Sequence, residues 1–220
     1  MGEVTFLSLG DIHGRIGWTE ELRSAASSAH AVLLVGDLTN FGGPEEAGQV
    51  IDDIAAHCPQ VYGVPGNCDS VAILDWMAEA GISLHGRGLE IAAGIGVCGV
   101  GGSNHTPFGT PLEFDPDDLQ SALQSGWQDI AGLDARIIVH HAPPYRTRCD
   151  RTRFGLHTGV KGLRAFCEAE KPELVLCGHI HEARGTDRIG ETPIVNGGMA
   201  ARGHGTLLTV TEAGVSVELL

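Results

Sequence analysis

Short apolar runs recur along the chain, and several of them stop at a glycine followed by a polar residue. Val4-Thr5-Phe6-Leu7 is apolar, β-branched and aromatic, and reads as a buried strand that ends at Gly10-Asp11-Ile12-His13-Gly14. Residues 18–30 follow with helical spacing of Trp18, Leu22, Ala25, Ala26 and Ala29, and Thr19 is placed to cap them. Ala31-Val32-Leu33-Leu34-Val35 has no alternation at all. That is the pattern of a parallel strand covered on both faces, and it ends at Gly36-Asp37. Pro44 opens a second helix with Glu45 and Glu46 in its first turn, and Ala47, Val50, Ile51, Ile54 and Ala55 form its apolar face. A third strand, 61–64, runs into Pro65-Gly66-Asn67-Cys68-Asp69, and a helix over 70–80 follows with Gly81 at its C-terminal end.

Beyond this β-α-β-α-β-α series the pattern changes. Residues 82–84, 89–91 and 95–100 read as short strands with Gly-rich turns and no helices between them, which suggests an antiparallel portion or a second sheet. Residues 101–116 form a long Gly/Pro/Thr loop, and 117–125 look helical. Strand 137–139 ends in His140-His141-Ala142-Pro143-Pro144, and residues 145–162 are irregular. Helix 163–170 leads to strand 174–177, which ends in Gly178-His179-Ile180-His181. The tail alternates as a hairpin, 206–211 with 215–219. No repeat, linker or low-complexity segment interrupts the 220 residues, so one domain over 1–220 is expected.

Polar groups thus gather where strands end, the place where open α/β sheets bind ligands. The candidates are Asp11, His13, Asp37, Asn67, His141, His179 and His181. Carboxylate, amide and imidazole in this mixture suit Mn, Fe, Co or Zn, and the set is large enough for two neighbouring divalent ions. Any one of these residues has a bland explanation as a satisfied polar cap; seven at the ends of apolar strands do not.

Charge narrows the partners. With 28 acidic against 14 basic residues the net charge is −14, which argues against a nucleic-acid or anionic-membrane surface and leaves a small phosphate substrate open. No apolar stretch approaches bilayer length, and the sequence starts on a strand without a signal-type block, so a cytoplasmic location is expected. The six cysteines lack a CxxC pair and read as free thiols.

The series Gly-Asp-Ile-His-Gly, Gly-Asp-Leu-Thr-Asn, Gly-Asn-Cys-Asp, His-Ala-Pro-Pro and Gly-His-Ile-His resembles the calcineurin-like metallophosphoesterases over the whole chain and in the right order. The resemblance implies an α/β fold, a four-layer α/β/β/α sandwich with two mixed β-sheets. It also implies two divalent transition-metal ions, Mn favoured, and hydrolysis of a phosphate ester by a metal-bridging hydroxide. Carried over residue by residue, Asp11, His13 and His181 hold one ion, Asn67, His141 and His179 hold the other, and Asp37 bridges them. His141 is preferred over His140 because the family pattern is His-x-Pro-Pro. Asn67 is also expected to face the substrate.

One departure matters. Many family members carry histidine where this chain has Cys68, a weak donor. The histidine's job is either absent or taken by another catalytic group, with His105 in the long loop the first candidate and His157 the second. Four basic residues (146, 148, 151 and 153) crowd the segment after His141, and Arg146 and Arg148 are taken as substrate-binding candidates. The preferred function is hydrolysis of a small phosphodiester. The alternatives are a metal-poor interaction scaffold of the same fold, which the seven filled positions disfavour, and a nuclease, which the acidity disfavours. The natural substrate, the metal pair and the oligomeric state stay open.

Overall fold

The computed structural model describes residues 2–220. In chain order the first half runs β1 (Val4–Leu9), α1 (Glu20–Ser28), β2 (Ala31–Val35), α2 (Pro44–Ala55), β3 (Val61–Val64), α3 (Val71–Glu79), β4 (Gly88–Ala92) and β5 (Ile95–Val100). The second half runs β6 (Ser103–Asn104), β7 (Glu113–Phe114), α4 (Pro116–Asp129), β8 (Ala135–His140), α5 (Lys161–Glu170) and β9 (Leu174–Cys177). It closes with β10 (Gly185–Ile189), β11 (Thr192–Asn196), β12 (Thr206–Thr211) and β13 (Gly214–Leu219).

Two mixed sheets result. The first has the order β13-β12-β1-β2-β3, with β1, β2 and β3 parallel and the tail hairpin antiparallel at one side. The second has the order β10-β11-β9-β8-β5-β4, parallel in the middle and antiparallel at both edges. Phe6, Leu33, Val35, Val64, Val97, Ile137, Val139, Leu174 and Leu208 pack between the sheets. Their strand neighbours Leu7, Leu34 and Val32 face α1–α3 instead, through Leu22, Ile54 and Met77. On the far side Ile138 and Val175 meet Leu119, Trp127 and Phe166 of α4 and α5. Helices, sheet, sheet, helices is therefore the layer order, and burial on both faces explains why the central strands carry continuous apolar runs.

Most expected elements are present, with informative differences. Thr19 does cap α1, accepting the Leu22 N–H on its hydroxyl at 3.1 Å. Residues 82–84 are not a strand and pair only through an isolated bridge, Gly63 with Ser83. Helix α4 continues past Ser125 because Gly126 lies against the Arg87 main chain, where a Cβ would sit 2.8 Å from the carbonyl oxygen, and Trp127 beyond it is buried. Strands β10 and β11 were not anticipated: β10 reads Gly-Thr-Asp-Arg-Ile and β11 contains Pro193. Among the described residues no helix is long and apolar enough to cross a membrane.

Candidate metal centre

The parallel strands of both sheets deliver their ends to one place. Asp11 and His13 follow β1, Asp37 follows β2 and Asn67 follows β3, while His141 follows β8 and His179 and His181 follow β9. Asp11, His13, Asp37 and His179 have φ of 49, 49, 48 and 66°, the left-handed region that non-glycine residues avoid. Strain of this kind collects where a site demands a fixed side-chain direction. Two glycines make the approach close enough: a Cβ at Gly36 would overlap the His141 ring, and one at Gly66 would overlap Asp37.

The seven side chains fall into two groups around Asp37. Asp37 Oδ2 lies 3.7 Å from His13 Nε2, which is 3.3 Å from His181 Nε2, and His181 Nε2 lies 3.6 Å from Asp11 Oδ1. Ligand atoms of Asp11, His13, Asp37 and His181 all fit within 4.8 Å of one another. On the other side Asp37 Oδ1 is 3.5 Å from His141 Nε2. Asn67 Oδ1 faces His141 Nε2 at 2.9 Å and His179 Nδ1 at 2.7 Å. One carboxylate thus turns one oxygen to each group.

Outer contacts fix these directions. His141 Nδ1 lies 2.7 Å from the Val35 carbonyl, which holds its proton there and leaves Nε2 as the free lone pair. Asn67 donates from Nδ2 to Thr110 Oγ1 at 3.0 Å, and Thr110 Oγ1 donates to Glu113 Oε1 at 2.6 Å, so Oδ1 must be the end turned toward the histidines. Asp69, which sequence reasoning left without a role, is fully buried behind the site. It accepts from Leu38 N (2.9 Å), Thr39 N (2.8 Å), Thr39 Oγ1 (2.9 Å) and Gly66 N (2.8 Å), and so ties the Asp37 turn to the Asn67 turn.

Electrostatics mark the cluster as a place for cations. Burial would raise the Asp11 carboxyl, but the His181 hydrogen bond, the His141 and His181 charges and the His179 N–H prevail and hold it below its ordinary value. Burial pulls the His179 imidazole down to about 4, whereas the Asp11 carboxylate raises His181. Asp11 Oδ2 and His13 Nδ1 are buried without a hydrogen-bond partner. A buried carboxylate oxygen with no donor, two imidazole nitrogens in contact, and an amide oxygen between two ring nitrogens are the donor set that divalent transition metals take.

Cys68 apart, the remaining candidates make no hydrogen bond or ion pair to the seven side chains, although His105 is linked to Asn67 through Glu113 and Thr110. His140 is buried on the opposite face of β8, against the α4–α5 layer, and burial pushes it down to about 3. His105 is exposed and bonds to Glu113 (3.4 Å) and Asp115 (2.9 Å), with none of the seven among its partners. His157 Nδ1 lies 2.6 Å from buried Asp150 Oδ1. Arg146 and Arg148 are exposed on the segment after β8. Cys68 does adjoin the centre: its main-chain N–H donates to Asp37 Oδ1 at 2.8 Å, and burial and the Asp37 charge drive its thiol well above the usual range.

The family described as calcineurin-like phosphoesterase matches over residues 4–183. An uncharacterized protein of Methanocaldococcus jannaschii is 31% identical over 194 residues, with 86% of each chain covered. The crystal structure of TT1561 from Thermus thermophilus superposes with a TM-score of 0.74 at 19% identity, covering 99% of both chains. A dimetal phosphatase from Danio rerio superposes with a TM-score of 0.58 at 12% identity, covering 99% of this chain and 98% of that one.

Proposed function

Because the chain belongs to the calcineurin-like phosphoesterase family, a family of binuclear-metal hydrolases, we propose that it hydrolyses a small phosphodiester. In this reading Asp11, His13 and His181 hold one divalent ion, Asn67, His141 and His179 hold the second, and Asp37 binds both. Such a pair of ions supplies Lewis acidity toward the phosphoryl oxygens and a water acidic enough to ionise near neutral pH. Manganese suits the mixed oxygen and nitrogen donors.

The chain's own residues do the rest. Asp37 is held by the Cys68 N–H, and His141 by the Val35 carbonyl, so neither needs to reorganise when substrate arrives. His13 and His181 lie on the more open side, which gives the phosphoryl group its approach. Asn67 gives one amide hydrogen to Thr110 and turns the other toward Cys68 Sγ, so the end it offers the two histidines is its oxygen.

The observation that carries the diester preference is Cys68. Its thiol stays protonated beside Asp37 and is a weak hydrogen-bond donor, and nothing in the Cys68 side chain protonates a departing alkoxide. A monoester dianion gains most from a strong proton donor and a cationic surround; a diester monoanion depends less on both. The partner is a small phosphate ester rather than a membrane or nucleic acid, as the charge of −14 favours. Residues 1–220 act as one domain, and the location is the cytoplasm.

The test compares bis(p-nitrophenyl) phosphate with p-nitrophenyl phosphate on Mn-loaded protein. Faster turnover of the diester is expected. Preference for the monoester overturns the diester reading, and purified protein that takes up well under one equivalent of metal, with no activity on Mn or Co addition, overturns the enzyme reading.

A further inference from the structure

Arginines from two segments line one open cleft of about 630 Å³ beside the candidate metal centre: Arg148, Arg151 and Arg153 from the segment after β8, and Arg184 from the turn after β9. The cleft adjoins the centre through the chain itself. His181 opens the 3-10 turn His181–Ala183, and its next residues, Glu182 and Ala183, form part of the cleft wall, one to two Cα steps of about 3.8 Å away.

Among the described residues Arg164 is the one arginine whose side chain has a carboxylate partner, Glu168 at 2.9 Å. The cleft arginines are unpaired like the others; what sets them apart is that four of them share one cleft, while the acids around them bond to the main chain. Asp150 accepts the Arg146, Thr147 and Gly159 N–H groups and contacts His157. Asp187 accepts the Arg148 N–H at 2.7 Å and the Arg188 N–H at 2.8 Å. Glu182 accepts the Arg153 N–H at 2.9 Å. Each acid bonds to main chain that carries an arginine, and the Glu182 charge also acts on the Arg153 guanidinium without a close ion pair. Among the described residues, Arg148, Arg151 and Arg153 have no ion-pair partner, and the Arg153 guanidinium lies over the exposed Phe154 ring at 4.9 Å. Arg184 alone is tied, to the Gly197 and Leu220 main-chain oxygens at 3.2 and 2.7 Å.

Four guanidinium groups against the one carboxylate of Glu182 leave the cleft wall net positive, and a phosphate answers that charge with forked, charge-assisted hydrogen bonds. We propose that this cleft binds a second phosphate group of the substrate, carried on the organic half that remains beside His181 while the ester is cleaved. The inference rests on the phosphodiesterase reading above and deepens it: the substrate is a small diester with a further phosphate within reach of the reacting phosphorus. Arg148, Arg151 and Arg153 are then specificity residues.

The test uses two esters with the same leaving group, thymidine 5′-(p-nitrophenyl phosphate) with and without a 3′-phosphate, on Mn-loaded protein. The 3′-phosphorylated ester should show kcat/KM about tenfold higher, mostly through KM, as one or two partly exposed charge-assisted bonds allow. The ratio should fall toward one in the Arg151→Ala/Arg153→Ala variant and in raised salt. Equal values for the two esters, or a ratio that the double variant leaves intact, overturns the proposal. If neither ester is hydrolysed, the phosphodiesterase reading fails separately. Calorimetric binding of thymidine 3′,5′-bisphosphate against thymidine 5′-monophosphate then decides the cleft. Tighter binding of the bisphosphate that the double variant abolishes supports it, and equal binding overturns it.

Discussion

Replacing Asp69 with asparagine keeps its shape and removes its charge, so the outcome depends on hydrogen bonds that can be counted. The carboxylate receives two donors on each oxygen: Thr39 N and Oγ1 on Oδ1, Leu38 N and Gly66 N on Oδ2. In one orientation the new NH2 meets two main-chain N–H groups. Flipped, it meets only the Thr39 N–H, because the Thr39 hydroxyl can turn and accept. Two buried donors left unanswered, the Thr39 N–H and the amide hydrogen facing it, with the other bonds weakened by loss of charge, cost about 2–4 kcal/mol. Against this stands a relief. Burial first, and the Asp37 charge second, raise the Asp69 carboxyl despite its three N–H donors. A carboxyl raised on folding costs stability at neutral pH, a cost that fades as pH falls through its folded value. In metal-free protein the asparagine removes that repulsion and the deficit is partly offset. With cations beside Asp37 the repulsion is already answered, and the full loss should appear. The assay is urea unfolding with EDTA and with Mn. The midpoint of Asp69→Asn should drop by about 1–2 M in Mn and by clearly less in EDTA. A variant that unfolds with wild type in both conditions, or whose deficit is larger in EDTA, refutes the reasoning.

Three further outcomes are expected. Asp37→Ala should lose both ions and at least about a hundredfold in turnover, whereas His13→Ala should retain part of the metal, because Asp37 faces both groups and His13 one; metal analysis after gel filtration checks this. Cys68→His should raise rates for esters with alcohol leaving groups more than for nitrophenyl esters, and a leaving-group series that shifts uniformly contradicts the role given to Cys68. His140 stays neutral to about pH 3 when folded but takes a proton near 6.5 when unfolded, so in EDTA it contributes stability at neutral pH that is lost as pH falls from about 6.5 toward 3. His140→Gln should flatten that limb, by up to about 1.4 kcal/mol per pH unit, in urea titrations across the range.

The strands that build the centre were legible because burial on both faces leaves an unbroken apolar run, and the glycine after it marks where the run must bend around a neighbour. Gly36 and Gly66 carry that signal, each leaving space that a side chain of the centre fills. Strands β10 and β11 were not legible. Thr186 to Arg188 are polar because β10 is a sheet edge, and Pro193 argues against a strand although its register opposite Arg188 tolerates it. The separation of His140 from His141 follows from strand alternation: Ile137 and Val139 face the other sheet, Ile138 faces the helices, and His140 follows Ile138 by two. The work of Asp69 had little local signature: apart from the Gly66 N–H three positions earlier, its partners Leu38 and Thr39 lie about thirty positions away and contribute mainly main-chain atoms.

The two groups of side chains around Asp37 are each drawn from both sheets. Asp11 and His13 meet His181 across the gap, and Asn67 meets His141 and His179. Ions held there would cross-link the two layers, and the expectation is that the layers dock after each sheet has formed its own pairs. If the site forms only after the folding barrier, free metal should leave the refolding rate almost unchanged. Its whole effect falls on escape from the native state: above the dissociation constant, each tenfold rise in free metal should lengthen the lifetime of the folded protein about tenfold for every ion that must leave first.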